Sequence, residues 1–315
     1  MDLFAQRITM RISSGHASRR MRALTARFML VLACVIPIKP SFGADTEAAL
    51  RDTYQSLAPQ LANNPFHRPL HLDSTEAPDA LKGDIYAVVD YPFATVNGAL
   101  NDPAKGPENW CDVLILHLNI KYCHATTTGN GSGGSTLNVN LGKKVEEKLS
   151  STFRVTFDYR MDVARADYFR VDLSADKGPM STKDYHIVLE AVAIDSTHTF
   201  IHLTYSYGYG TAGRLAMKTY LATIGSDKVG FSKSADSGGY IGGVRGLVER
   251  NTMRYYLAID AYLASLSLPA GQRLDARLNR WFDATEAYPR QLHEVEKDDY
   301  IQMKHHEYQR QQTAQ

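Results

Sequence analysis

Between residues 136 and 207 the chain alternates apolar and polar side chains again and again, and this limits the folds open to it. Leu137, Val139 and Leu141 alternate with Thr136, Asn138 and Asn140, and Phe153, Val155, Phe157, Tyr159, Met161 and Val163 with Arg154, Thr156, Asp158, Arg160 and Asp162. Phe169, Val171 and Leu173 alternate with Arg170, Asp172 and Ser174, and Ile201, Leu203, Tyr205 and Tyr207 with His202, Thr204 and Ser206. Tyr185, Ile187, Leu189 and Ala191 form a less regular set. Successive side chains of a strand point to opposite faces, so these segments predict an antiparallel sheet with one buried and one wet face. Ile85, Ala87 and Val89 supply an earlier strand and another is expected from Asn119, which makes seven.

One long helical stretch follows the strands, from Gly238 to Leu266, with no proline in it. Ile241, Val244, Val248, Tyr255, Ile259, Tyr262 and Leu266 recur mostly at three- and four-residue steps, which places them on one face. The stretch would span roughly 43 Å as a helix. Gly238, Gly239, Gly242, Gly243 and Gly246 lie in its first half, where each glycine costs about 1 kcal/mol against alanine. Two readings stay open: a helix from Gly238 that needs close approach by a neighbour, or a loop with the helix beginning at Val244.

The connecting segments have their own punctuation. Residues 44–82 read as a lead-in, weakly helical from Glu47 to Leu61 and then broken by Asn63-Asn64-Pro65 and Arg68-Pro69. Pro92 is placed to start a helix over Phe93 to Leu100, Asn101-Asp102-Pro103 stops it, and Pro107 to Trp110 opens another. Were residues 111–123 a single strand, Cys111 and Cys123 would lie roughly 40 Å apart. If instead a helix runs to about His117 and the chain reverses into a strand, they come within the roughly 7 Å a disulfide needs. The second reading predicts a Cys111–Cys123 bridge; the alternative is two buried thiols. Thr126 to Ser135 is a Gly/Ser/Thr loop that lacks the Gly-Lys-Ser/Thr of a phosphate-binding loop. A short helix is expected over Ala212 to Leu221, and an amphipathic one carrying Leu274, Leu278, Trp281 and Phe282 after Pro269-Ala270-Gly271. From Arg290 onward a solvated helix or frayed tail is expected.

The N-terminus reads as a leader. Arg7, Arg11, Arg19, Arg20, Arg22 and Arg27 face a single acid, Asp2, before the apolar run Phe28 to Ile38 and then Ser41-Phe42-Gly43. This order predicts a secretory signal peptide over residues 1–43, cut between Gly43 and Ala44, with a periplasmic or secreted product. Cleavage removes seven of the 35 Lys/Arg and one of the 34 acids, leaving 28 bases against 33 acids, a net charge of about −5. A mildly acidic chain argues against nucleic-acid binding, which needs a basic footprint. No later run is apolar and long enough to span a membrane.

The order of elements is strand, two helices, six strands, long helix. With Asp102-Pro103 and Trp110 in the second-helix region, it resembles the START-like superfamily, also called SRPBCC or helix-grip, which includes polyketide cyclases and the birch pollen allergens. The resemblance covers residues 83–266. It implies an α+β fold in which a seven-stranded curved antiparallel sheet packs around a long C-terminal helix, with an apolar cavity between them for sterols, phospholipids or polyketides. Residues 267–315 would be a helical extension. The function so implied is an exported carrier of a hydrophobic small molecule or lipid, with transient membrane contact, no cofactor and no metal.

The residues carry little catalytic signal. Gly-x-Ser-x-Gly, His-Glu-x-x-His and Cys-x-x-Cys are absent, and His198 and His202, four apart, fall on the wet face. The tyrosines are more informative. Tyr122, Tyr159, Tyr185, Tyr205 and Tyr207 have buried-face parity, and Tyr255 lies on the helix stripe. Buried hydroxyls want partners, and pockets orient apolar ligands with a few such groups. The candidate ligand-binding set is Tyr122, Phe157, Tyr159, Phe169, Tyr185, Leu189, Tyr205, Tyr207, Val244, Val248 and Tyr255. Two alternatives compete with a carrier: a cyclase- or hydrolase-type enzyme on the same scaffold, and a non-catalytic envelope protein that binds a partner through its C-terminal helices.

Overall fold

The computed structural model describes residues 42–127, 134–211, 213–215, 219, 227–235 and 238–313. The leader expected over 1–43 falls almost wholly outside them, as does much of the helix expected over 212–221. The chain runs α1 (Phe42–Ala62), β1 (Leu70–Glu76), β2 (Ala80–Val89), α2 (Phe93–Leu100), α3 (Gly106–Leu114) and β3 (Ile120–Thr127). Then come β4 (Ser135–Leu141), β5 (Phe153–Ala164), β6 (Tyr168–Lys177), β7 (Thr182–Ala193) and β8 (Thr199–Tyr209). The long helix α4 (Gly243–Ser265), α5 (Ala270–Glu286), a short turn at Pro289–Leu292 and α6 (Lys297–Thr313) complete it.

The strands make one sheet in the order β1-β2-β8-β7-β6-β5-β4-β3, antiparallel at every step. The expected α+β, helix-grip class is the class observed, with eight strands rather than seven. The additional strand is β1, an edge strand in the lead-in. It pairs Leu72 with Ile85 and Leu70 with Ala87, and its apolar positions are few enough that Pro69 and the histidines around it hid the alternation.

Ile85, Val171, Leu189 and Leu203, all fully buried, share the inner face of the sheet with the aromatic residues of β5, β7 and β8. Helix α4 lies over this face against β1, β2 and β8, while α2 and α3 close its other end. Gly83 of β2 lies directly under Thr252, so a side chain there would drive the helix off the sheet. The helix begins at Gly243, with Gly242 as its N-cap, so the preceding glycines are not helical. Close approach is nonetheless required at Gly246, where a Cβ would stand 2.9 Å from the Ile241 carbonyl oxygen and 3.0 Å from the Gly230 nitrogen. Both neighbours are backbone and cannot rotate away. Gly246→Ala should therefore destabilise the protein by about 1–3 kcal/mol in urea unfolding, where an unconstrained helical Gly→Ala exchange would stabilise it.

Helix α4 is buried almost all round rather than along one stripe, because α5 packs on its far side. The Trp281 indole donates to the Arg254 carbonyl at 3.1 Å, and the Arg277 guanidinium reaches Asp112 at 2.8 Å. The tail from Arg290 is also not solvated. In α6, Tyr300, Met303, Lys304, Glu307 and Gln311 are buried against α5 and the edge strand β3. The outer face of the sheet is likewise covered at one end, where Leu50, Tyr54, Leu57 and Leu61 of α1 pack on Tyr86, Val88, Tyr168, Val192 and Phe200.

Candidate functional site

Alternation along β5, β7 and β8 sends every second aromatic side chain beneath α4, and there they meet. The Tyr185 ring stacks on Tyr207 with centroids 5.2 Å apart, Tyr205 lies 5.6 Å from Tyr207, and Phe157 meets Tyr185 edge-on at 6.4 Å. From the helix, Tyr255 comes down to 5.2 Å from Tyr205 and stacks on His117 at 4.9 Å. Five of the expected residues thus form a continuous aromatic group that ends on a histidine. All are buried.

The other expected residues are placed differently. The Tyr159 hydroxyl donates to the Leu100 carbonyl at 3.3 Å, which ties it to the α2–α3 junction, and Phe169 packs on Phe93 of α2 at 5.8 Å. Leu189 is fully buried mid-sheet, Val248 is buried on α4, and Val244 is partly buried in the first turn of that helix. Tyr122 does not join them. The register of β3 shifts between Ile120 and Tyr122, which reverses the parity; Cys123, paired with Val139, faces inward, while Tyr122, paired with Asn140, faces outward beside His124. His202 is on the outer face as expected but is not free in solvent. Its side chain is 15% exposed and lies between Asp84 and Glu190, at 2.8 and 3.1 Å.

His117 carries no motif and was not recognisable beforehand. It follows α3 in the turn that leads to β3, and the Cys111–Cys123 disulfide, with Cα atoms 5.2 Å apart, spans that turn. Burial, and after it the charges of Arg254, Lys304 and Lys144, hold its pKa well below the ordinary histidine value, so the ring is neutral. Its Nδ1 accepts the Asn119 N–H at 3.1 Å, which leaves the proton on Nε2. That Nε2 is buried without a hydrogen-bond partner. Burial also raises the pKa of Tyr185, Tyr205, Tyr207 and Tyr255, so their hydroxyls stay protonated. The Tyr185 hydroxyl is within 2.8 Å of Thr182 Oγ1.

Chemically, the group offers large aromatic area and a few neutral donors. Among the described residues no cluster of His, Cys, Asp or Glu could hold a metal, and no helix is long and apolar enough to cross a membrane.

No family model matches the sequence, and no curated protein matches it. Similar solved structures include human StAR-related lipid transfer protein 5, at 7% identity and TM-score 0.36 over 72% of this chain and 99% of that one. The Zhui aromatase/cyclase from a Streptomyces species is similar at 12% identity and TM-score 0.28, over 70% of this chain and 96% of that one. A truncated norcoclaurine synthase from Thalictrum flavum is similar at 10% identity and TM-score 0.33, over 48% and 91%. The strand order and the helix laid across the inner face decide the fold. The chain has the α+β helix-grip fold. In helix-grip terms α2 and α3 are the paired helices after the first strand and α4 is the gripped helix, while α1, β1, α5 and α6 are additions on the outside.

Proposed function

We propose that this helix-grip protein binds a hydrophobic small molecule or lipid beneath α4, without a cofactor, and that residues 83–266 are the unit that holds it. One observation carries this reading. The His117 Nε2 is buried without a hydrogen-bond partner where the aromatic group of Phe157, Tyr185, Tyr205, Tyr207 and Tyr255 ends. A buried polar group left unsatisfied costs about 1–3 kcal/mol, and a ligand's polar end beneath the helix would satisfy this one. Apolar carbons of the ligand would lie along the rings, at roughly 0.8 kcal/mol gained per methylene. His117 holds its proton on Nε2, so it is set to donate to a ligand oxygen rather than to abstract a proton, which favours binding over cyclase- or hydrolase-type turnover.

We place the mature protein outside the cytoplasm. The basic, apolar, small-residue order of residues 1–43 supports this, and the Cys111–Cys123 bridge is compatible with an oxidising compartment. Native mass spectrometry of the freshly purified protein tests the binding reading. The expected result is a bound mass that organic solvent releases. Tyr205→Phe and Tyr255→Phe should each lower its occupancy severalfold while leaving stability within about 1 kcal/mol of the parent. The reading fails if the parent carries no such mass and does not bind a medium-chain fatty acid such as dodecanoate.

A further inference from the structure

A second concave feature lies away from the aromatic group under α4. It is a groove of about 480 Å³, open on one side, between the Pro65-Phe66 turn, β1, residues 231–233 with Tyr240, and the end of α5. The volume suits a small molecule. One wall is aromatic: Phe66, Phe231 and Tyr288 touch one another with centroids 5.5 to 6.3 Å apart.

The wall is held in place from behind. The Tyr288 hydroxyl donates to the Phe66 carbonyl at 2.8 Å. The Phe231 and Ser232 N–H groups donate to Glu249 Oε2 at 2.6 and 2.9 Å, and the other oxygen of this fully buried carboxylate accepts from Ser74 of β1 at 2.6 Å. The shape of the groove is therefore fixed by the sheet and by α4 rather than by loop packing.

Two side chains give the groove a chemical preference. Gln291 lines it and is only 7% exposed, with an amide able to donate. Lys233 lines the rim, exposed, with no acidic partner among the described residues. Arg290 adds a second positive charge beside it, over the ring of the lining residue Tyr240 at 5.0 Å. An aromatic wall, an amide that can donate, and a cationic rim complement a flat ring that bears a carboxylate.

We propose that this groove is a binding site for a small aromatic carboxylate, separate from the space beneath α4. The ring would lie against Phe231 and Tyr288, and the carboxylate would accept from the Gln291 amide in the field of Lys233.

Calorimetric titration of the full mature chain with indole-3-acetate tests this. Cyclohexylacetate serves as the control without an aromatic ring and indole-3-acetamide as the control without charge. Indole-3-acetate should bind saturably and more tightly than either control. Gln291→Leu should weaken it about tenfold, the factor expected for one hydrogen bond to a charged group. Lys233→Ala should weaken it less and flatten its salt dependence. Both variants should melt with the parent; Lys233 is exposed, so its variant remains informative even if Gln291→Leu disturbs folding. The proposal is overturned if binding does not saturate, if both controls bind as well as the acid, or if neither substitution changes it. It is equally overturned if Tyr205→Phe, rather than the groove variants, abolishes binding, because the acid would then sit beneath α4.

Discussion

Replacing Glu307 by glutamine should cost about 3–5 kcal/mol of stability, the range found when one partner of a buried ion pair is removed. Glu307 sits in α6, against the edge strand β3. Its two oxygens take Lys121 Nζ at 2.9 Å and Lys304 Nζ at 2.7 Å, and all three side chains are at most 1% exposed. One carboxylate thus faces two ammonium groups out of contact with water. Burial, with Lys121 adding repulsion, pulls the Lys304 pKa down to about 8 even with Glu307 opposing it. With glutamine at 307 both lysines keep their desolvation cost and lose their counter-charge. Urea unfolding of Glu307→Gln should show the loss, and Lys121→Met in the same chain should recover part of it by removing one stranded charge. A loss under about 1 kcal/mol would mean that α6 is not anchored through this triad. The consequence reaches the candidate site, because Lys304 also donates to the carbonyls of His117 and Ile120 at 2.8 and 2.9 Å. Loosening α6 frees the turn that presents His117, so ligand occupancy should fall with stability in this variant, unlike in Tyr205→Phe.

Much of the sheet could be read from the sequence because it depends on a period-two pattern, which survives without knowledge of any partner. The same pattern failed where the backbone breaks it. The register shift in β3 turned Tyr122 outward, and no local feature of residues 119–123 announces it. The outer face reads as wet from Arg154, Asp158, Arg170, Asp172 and His202, yet α1 covers its far end. Tyr86, Val88, Tyr168, Val192 and Phe200 at outward parity were the visible signal of that cover. Helix α6 was unreadable for a different reason. It docks through Lys304, Glu307 and Gln311, whose polar character resembles a solvated face until Lys121 is placed opposite them. His117 had no signal at all, since its importance comes from Tyr255 folding over it from a strand-distant helix.

Opening the Cys111–Cys123 bridge is the other change expected to have a large effect. The bond closes a loop with a sequence separation of 12, and in the chain-entropy account a loop of that size stabilises by about 3 kcal/mol. Both cysteines are buried in the core, one in α3 and the other on the inward side of β3. Between them lies the turn that carries His117, whose carbonyl Lys304 holds from the far side. In the oxidised protein the turn is therefore fixed at two points, by the bridge and by α6. Reduced protein, or the pair Cys111→Ala and Cys123→Ala, should unfold at a urea midpoint lower by the equivalent of about 3 kcal/mol. Reduction combined with Glu307→Gln should cost more than the sum of the two separately, because the second change removes the remaining tether of one turn. Strict additivity would mean that the bridge and the triad stabilise unconnected parts of the fold. In that case His117 would owe its position to α3 alone.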